Sequence, residues 1–348
     1  MLRSAGVRAS ITGCGMGQTG TVLGLMAAVA PDRQTARILV NGLRLCRSAR
    51  CPGCAPAVAR IVAGKVRAML RAARRKDMGV VFLTLTVAHH PNSLLRTLRD
   101  DLGKGFHDIQ HGRPWKRLKI NGLAGIARVW DLTGGVTGWH LHPHILAFHK
   151  DGTEAALAAA RELAATWMRL MEGRGYKVSI EAQDVRAVET DDKLAGYGVE
   201  ALQTWGPEAE MAAGHAKQGK RPDRFTLPQI LNRALAGDEW AIERFAEAVK
   251  ALSGQRILVI GKSLRAALEI EEADEEGDPG EEGADEGPEP EAIGTMSAAT
   301  WNRALDECLT PRVLDMIEAY AIRHAVPWSR VWPMIDDYVW RAIEPPPP

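Results

Sequence analysis

No run of eighteen apolar residues occurs anywhere in the chain, so no membrane-spanning helix and no membrane partner are expected. Cysteine is scarce and odd in number: Cys14, Cys46, Cys51, Cys54 and Cys308. An odd count without a convincing export signal argues against a disulfide framework and fits a cytoplasmic setting. The nearest approach to an export signal is the apolar stretch Val22 to Ala30, after Arg3 and Arg8, but it is short, begins late and runs straight into Pro31. Residues 1–40 have little periodicity and many glycines, and are read as an irregular N-terminal extension. Tyrosine is scarcer still, at Tyr176, Tyr197, Tyr320 and Tyr338 only. No internal repeat is apparent.

What is present begins with a hidden charge asymmetry. The formal net charge is only +1, yet residues 263–348 carry 6 Lys/Arg against 20 Asp/Glu, and residues 1–262 carry 38 against 23. A basic body with an acidic segment suits a protein that attracts a polyanion. Residues 271–291 hold twelve acidic residues and no basic one. Such a run cannot bury apolar surface, so residues 269–292 are expected to be a disordered linker. Beyond it, residues 293–348 carry Trp301, Leu305, Val313, Leu314, Ile317, Trp328 and Trp332 and are read as a helical C-terminal region.

Between these lies an alternation of helices and strands. Val58, Ile61, Val62, Val66, Met69 and Leu70 recur at helical spacing among Arg60, Lys65, Arg67, Arg71, Arg74, Arg75 and Lys76, which predicts a basic helix. Residues 80–87 read as a buried strand, and a helix follows with Leu94, Leu95, Leu98 and Leu102. A hairpin is expected from Ala124–Leu132 and Trp139–Phe148, joined by a loop at residues 133–138. A helix over about 154–171, a strand over 178–188 and a helix around 192–202 complete the pattern. The fold class is α+β, a central, mainly antiparallel β-sheet flanked by helices with a C-terminal helical extension.

The sharpest chemical signal is Trp139-His140-Leu141-His142-Pro143-His144. Alternate side chains of a strand share a face, so His140, His142 and His144 line one side. Three imidazoles on one face are costly unless solvated or bound to something, and imidazole is a common metal ligand. If the hairpin loop is symmetric about residues 133–138, Asp131 stands opposite His140 and diagonal to His142, roughly 5 Å away at Cβ. A second signal is Tyr197, with Lys193 one helical turn earlier, where a cation favours the phenolate. A third is Cys46, Cys51 and Cys54, whose Cys-x-x-Cys pair fits a structural zinc site with Cys14, His89 or His90 as a fourth ligand, or else free thiols.

Together these residues resemble the HUH endonuclease superfamily, and in particular plasmid rolling-circle replication initiators, over about residues 41–268. Phe82-Leu-Thr-Leu-Thr-Val87 is similar to the family's first motif. Gly138-Trp-His-Leu-His-Pro-His144 is similar to its metal motif, Arg128-Val-Trp-Asp131 to the acidic strand before it, and Tyr197 falls where the catalytic tyrosine is expected. The stretch 210–231 resembles the basic segment that follows that tyrosine, with Lys217, Lys220, Arg221 and Arg224 as its candidate DNA contacts, and the early cysteines resemble a cluster found in these proteins. One position departs from the pattern: where the family often has a lysine three residues after the tyrosine, this chain has Glu200.

The resemblance implies an RRM-like palm, a divalent ion (Mn²⁺ or Mg²⁺) on the histidines and the acidic residue, and attack by tyrosine on single-stranded or extruded plasmid origin DNA. That attack gives a 5′-phosphotyrosine and a 3′-hydroxyl primer. It also implies host helicase or polymerase machinery as partners, with the C-terminal region as a candidate contact. The alternatives are another nickase of the superfamily (a relaxase or single-strand transposase) or, given Glu200, a catalytically weak DNA-binding relative. A non-haem iron oxygenase also uses two histidines and a carboxylate, but the helical content and the basic body weigh against it.

Overall fold

The computed structural model describes residues 13–51, 54–88, 90–188, 224–270, 288–307, 309–323 and 327–341. The chain divides into two compact units, one of residues 47–283 with 1–8, the other of residues 9–46 with 284–348.

The smaller unit corrects two expectations. Residues 1–40 are not an irregular extension throughout: β1 (Val22–Val29) and β2 (Ala36–Asn41) form an antiparallel hairpin. The C-terminal region is not purely helical, because it opens with β9 (Glu291–Ser297), which pairs antiparallel with β1 to give the order β2-β1-β9. The cause is long-range. The apolar stretch with which β1 begins finds its second neighbour almost a chain length away, so no local signal marks it. Helices α8 (Ala298–Asp306), α9 (Thr310–Arg323) and α10 (Trp328–Arg341) close over a core of Leu23, Leu25, Met296, Trp301, Ile317 and Ile335. Asn302 clamps the N-terminal segment, accepting from the Gly17 N–H at 2.7 Å and donating to its carbonyl at 2.9 Å.

The larger unit is built on β3 (Gly79–Thr84), β4 (Leu123–Gly135), β5 (Gly138–His149), β6 (Asp184–Ala187), β7 (Arg224–Thr226) and β8 (Leu258–Ile260). All recorded pairings are antiparallel, in the order β6-β3-β5-β4-β7, with β8 also on β4. The strand expected over 178–188 is therefore shorter, a 3₁₀ turn occupying Ile180–Ala182 before β6. The acidic run 271–287 and the helix expected around 192–202 lie outside the described residues.

β3 and β5 are buried on both faces because helices cover both. The basic helix α1 (Ala55–Arg75) lays Val62, Val66, Met69 and Leu70 on Val80, Phe82, Leu146 and Phe148, with α7 (Lys262–Leu268) beside it. Its Arg60, Arg71, Arg74 and Arg75 stay in solvent. On the opposite face lie α2 (Leu95–His111) and α4 (Gly152–Glu172), in contact through Phe106 and Trp167 at a ring separation of 6.1 Å. α3 (Arg113–Ile120) joins α2 to β4, and α5 (Leu227–Leu235) and α6 (Glu239–Ala251) pack together after β7. Among the described residues no helix is long and apolar enough to cross a membrane.

β3 begins where α4 begins. A Cβ on Gly79 would stand 2.1 Å from both the carbonyl carbon and oxygen of Gly152, main-chain atoms that cannot rotate away. Gly79→Ala is expected to cost about 2–3 kcal/mol of unfolding free energy by overpacking, measured as a lower urea midpoint with an unchanged m-value.

Candidate metal centre and its surroundings

The hairpin β4–β5 sets the site. Its turn is shorter than the glycine-rich sequence suggests: Gly135 pairs with Gly138, so only Val136 and Thr137 lie between the strands. Gly138 closes the turn at φ +99°, a left-handed conformation suited to glycine, and a Cβ there would meet the His90 carbonyl oxygen at 2.7 Å. Gly134 belongs to the strand because the Trp139 ring lies across it, 2.7 Å from where a Cβ would be. Trp139 is held in turn by its indole N–H, which donates to Glu247 Oε2 at 2.8 Å, while Glu247 Oε1 accepts from the Leu95 N–H at the start of α2.

In this register Asp131 stands opposite His142, and His140 opposite Thr133. The expected pairing of Asp131 with His140 is thus corrected by two residues. A shift of two keeps every side chain on its face, so Asp131 and the histidines still share one side of the sheet. It is the side that continues into Leu146 and Phe148 beneath α1. Pro143 is tolerated within β5 because its main-chain groups face β3 where that ladder has ended at Thr84–His144; the Pro143 carbonyl there accepts from the Leu85 N–H at 3.2 Å.

Asp131, His142 and His144 offer ligand atoms within 4.8 Å of one another. Asp131 Oδ2 lies 3.5 Å from His142 Nε2 and 3.4 Å from His144 Nε2. Metal–ligand bonds of ~2.0–2.1 Å place neighbouring ligand atoms roughly 3.0–3.4 Å apart, so these three fit one ion with little adjustment. Second contacts hold two of the ligands. Asp131 Oδ1 accepts from the Leu132 N–H at 3.0 Å, and the Thr84 hydroxyl meets His144 Nδ1 at 3.0 Å, which leaves Nε2 for the metal side. The His142 and His144 side chains are buried, a costly place for unbound imidazoles. The His140 ring lies 4.7 Å from the His142 ring, tilted by 47°, but is not one of the three grouped ligands.

With this geometry stands a match to the family model Rep_1, Replication protein, over residues 37–307. The chain belongs to the Replication protein family. No curated protein and no solved structure matches it.

The other residues singled out from the sequence of this family member fall as follows. Cys14 and Cys46 lie in the smaller unit, and Cys51 and Cys54, both buried, in the larger. Cys14, one of the candidates for the fourth ligand, lies 32 residues before Cys46, whose N–H donates to its sulfur at 3.3 Å. Arg224 opens β7 opposite Gly135, at the end of the hairpin. Tyr197, Lys193, Glu200, Lys217, Lys220, Arg221 and His89 lie outside the described residues.

Sequence reasoning missed Thr84, Trp139 and Glu247 as supports. The only signal for them is position: Thr84 ends a strand, and Trp139 sits one residue before the histidines and on the opposite face. Outer hydrogen bonds to metal-ligating histidines are typically worth 10–100-fold in affinity. Thr84→Val, which keeps the shape and removes the hydroxyl, is expected to weaken Mn²⁺ binding by at least about tenfold in calorimetric titration, with His140→Ala costing less than His142→Ala or His144→Ala.

Proposed function

We propose that this replication protein initiates rolling-circle replication of a plasmid, as a nickase of the HUH endonuclease type. The observation that carries the reading is the convergence of Asp131, His142 and His144 at the motif of that superfamily, in a member of the Replication protein family. A divalent ion, Mn²⁺ or Mg²⁺, bound to these three would polarise a non-bridging oxygen of the scissile phosphate. The imidazole-rich set favours Mn²⁺ over Mg²⁺.

Tyr197 is the nucleophile in this reading. Its hydroxyl oxygen bonds to phosphorus as the phosphorus–O3′ bond breaks, leaving a 5′-phosphotyrosine and a free 3′-hydroxyl that primes synthesis. The covalent link conserves the phosphodiester for rejoining. Lys193, close before it in sequence, would favour the phenolate. The described tyrosine of the larger unit suits the role poorly. Tyr176 donates to Asp101 Oδ2 at 2.8 Å, and burial, reinforced by that hydrogen bond and the Asp101 charge, raises its pKa and keeps the phenol protonated. β6 and β7, the described strands that flank residues 189–223 in sequence, both belong to the sheet that bears Asp131, His142 and His144.

The exposed arginines of α1 and the segment Lys217, Lys220, Arg221 and Arg224 would track single-stranded or extruded origin DNA. Cys14, Cys46, Cys51 and Cys54 would hold a structural Zn²⁺. Purified protein is expected to contain one zinc per chain by elemental analysis, lost in Cys54→Ser together with a marked drop in melting temperature. A zinc-free wild type would remove that assignment.

The nickase is tested with a single-stranded oligonucleotide library and Mn²⁺. A covalent protein–DNA adduct is expected in wild type and in Tyr176→Phe, and none in Tyr197→Phe or with EDTA. Binding without any adduct, on substrates that include the native origin, would instead favour a DNA-binding relative, with Glu200 as the first position to revert to lysine.

A further inference from the structure

Beside the metal ligands the sheet is interrupted. On the side of β4 away from β5, β8 pairs with Ala127–Val129 and β7 with Thr133–Gly135, and among the described residues no strand pairs with Trp130–Leu132 between them. The alternation of an antiparallel ladder turns the main-chain groups of Trp130 and Leu132 to this open side. There the Leu132 N–H is taken by Asp131 itself.

A pocket of about 210 Å³ opens at the gap. It is smaller than the ~300–1,000 Å³ of sites for drug-sized ligands, and suits a single aromatic heterocycle. Its walls are apolar: Ala55, Val58 and Ala59 from the first turns of α1, and Phe245 from α6. Its charged lining is Asp131, which is also a metal ligand in the proposed function, together with Arg50 and Arg256. Arg50 is half-buried, and burial pulls its guanidinium down to about 10. Among the described residues no carboxylate pairs with it. A cation withdrawn from water without a counter-ion is costly, and that cost is relieved when an anion binds.

We propose that this pocket receives one base of the DNA strand next to the phosphate that the metal site of Asp131, His142 and His144 would hold, with Arg50 meeting a backbone phosphate of the same strand. Apolar walls suit the faces of a base, and the main-chain groups of β4 that no described strand pairs with suit its edge. A cation at the rim suits a phosphodiester. An uncharged small ligand would leave Arg50 without a role. The identity of the ligand rests on the nickase reading; the shape and charge of the pocket do not.

The test is an abasic scan. An oligonucleotide selected from a random single-stranded library by binding to the protein is remade with one abasic site at each position in turn, and affinities are measured by fluorescence anisotropy in Mn²⁺ on proteins that all carry Tyr197→Phe, so that no cleavage occurs. One position is expected to lose about tenfold, in the range of a single base–aromatic or base–apolar stack, while its neighbours lose less. Ala59→Phe, which fills the pocket, is expected to bind the intact strand about as weakly as Tyr197→Phe alone binds the abasic one, and to show no position-specific penalty. Arg50→Met is expected to lower the slope of log affinity against log salt by about 0.7, the value of one phosphate contact on a single strand. A flat scan in Tyr197→Phe alone, the same scan in an Ala59→Phe protein that melts like it, or an unchanged salt slope in Arg50→Met would each overturn the pocket. Where Ala59→Phe fails to fold, the scan in Tyr197→Phe alone and Arg50→Met decide. Adduct formation with a flat scan would leave the nickase and remove the pocket; a position-specific scan without any adduct would do the reverse.

Discussion

Asp131 meets two histidines because a thirteen-residue strand and a twelve-residue strand are pinned in one register, and most of the larger unit depends on that pin. A slip of one residue would turn Asp131 toward α2 and leave the histidines without a carboxylate. Three local features hold the register. Gly138 accepts the φ that closes a two-residue turn. Trp139 lies over Gly134 and is tied by Glu247 to the first residue of α2. Pro143 withholds an N–H where β3 has already ended, so the strand loses no ladder bond there and gains a point where its neighbour must leave. None of the three is a ligand, yet each decides whether the ligands converge.

Much of this was legible. The periodicity of Val58, Val62, Val66 and Leu70 marked α1 closely, the apolar run from Val80 marked β3, and alternation in Trp139–His144 put the histidines on one face. The pairing of Asp131 was read two residues out because three glycines look like loop in a single sequence. Gly134 and Gly135 are in fact strand residues, Gly134 with its missing side chain replaced by the ring of Trp139. The face survived the error because the side-chain repeat of a strand is two. His140 looked equivalent to its neighbours by spacing. It stands apart because Asp131 lies opposite the middle histidine, and the carboxylate reaches that one and the next along, toward Thr84.

What sequence could not supply was anything set by distant pairing. β1 carries glycine and alanine without a polar alternation, and its partner β9 follows an acidic run that reads as the end of structure. Cys14 was one lone thiol among glycines, and only the fold gives it Cys46 as a neighbour. In each case the missing information was a contact between residues far apart in the chain, which composition and period do not encode.

The position of the site follows from the way one layer changes character. Along β5 the face beneath α1 runs Phe148, Leu146, His144, His142, His140, from a dry core to the imidazoles of the candidate metal site and its edge within a single strand. Its apolar end fixes the strand through packing that tolerates no slip, and its polar end inherits that rigidity without supplying it. The same economy explains why the ligands come from the central pair of strands and not from the loops. A carboxylate and two imidazoles placed there keep their separation, while on the edge beside them, among the described residues, neither β7 nor β8 pairs with Trp130–Leu132. Rigidity at the ligands and access at the edge are thus supplied by different sides of one strand: β4 faces β5 with its register and faces the gap with its free main chain.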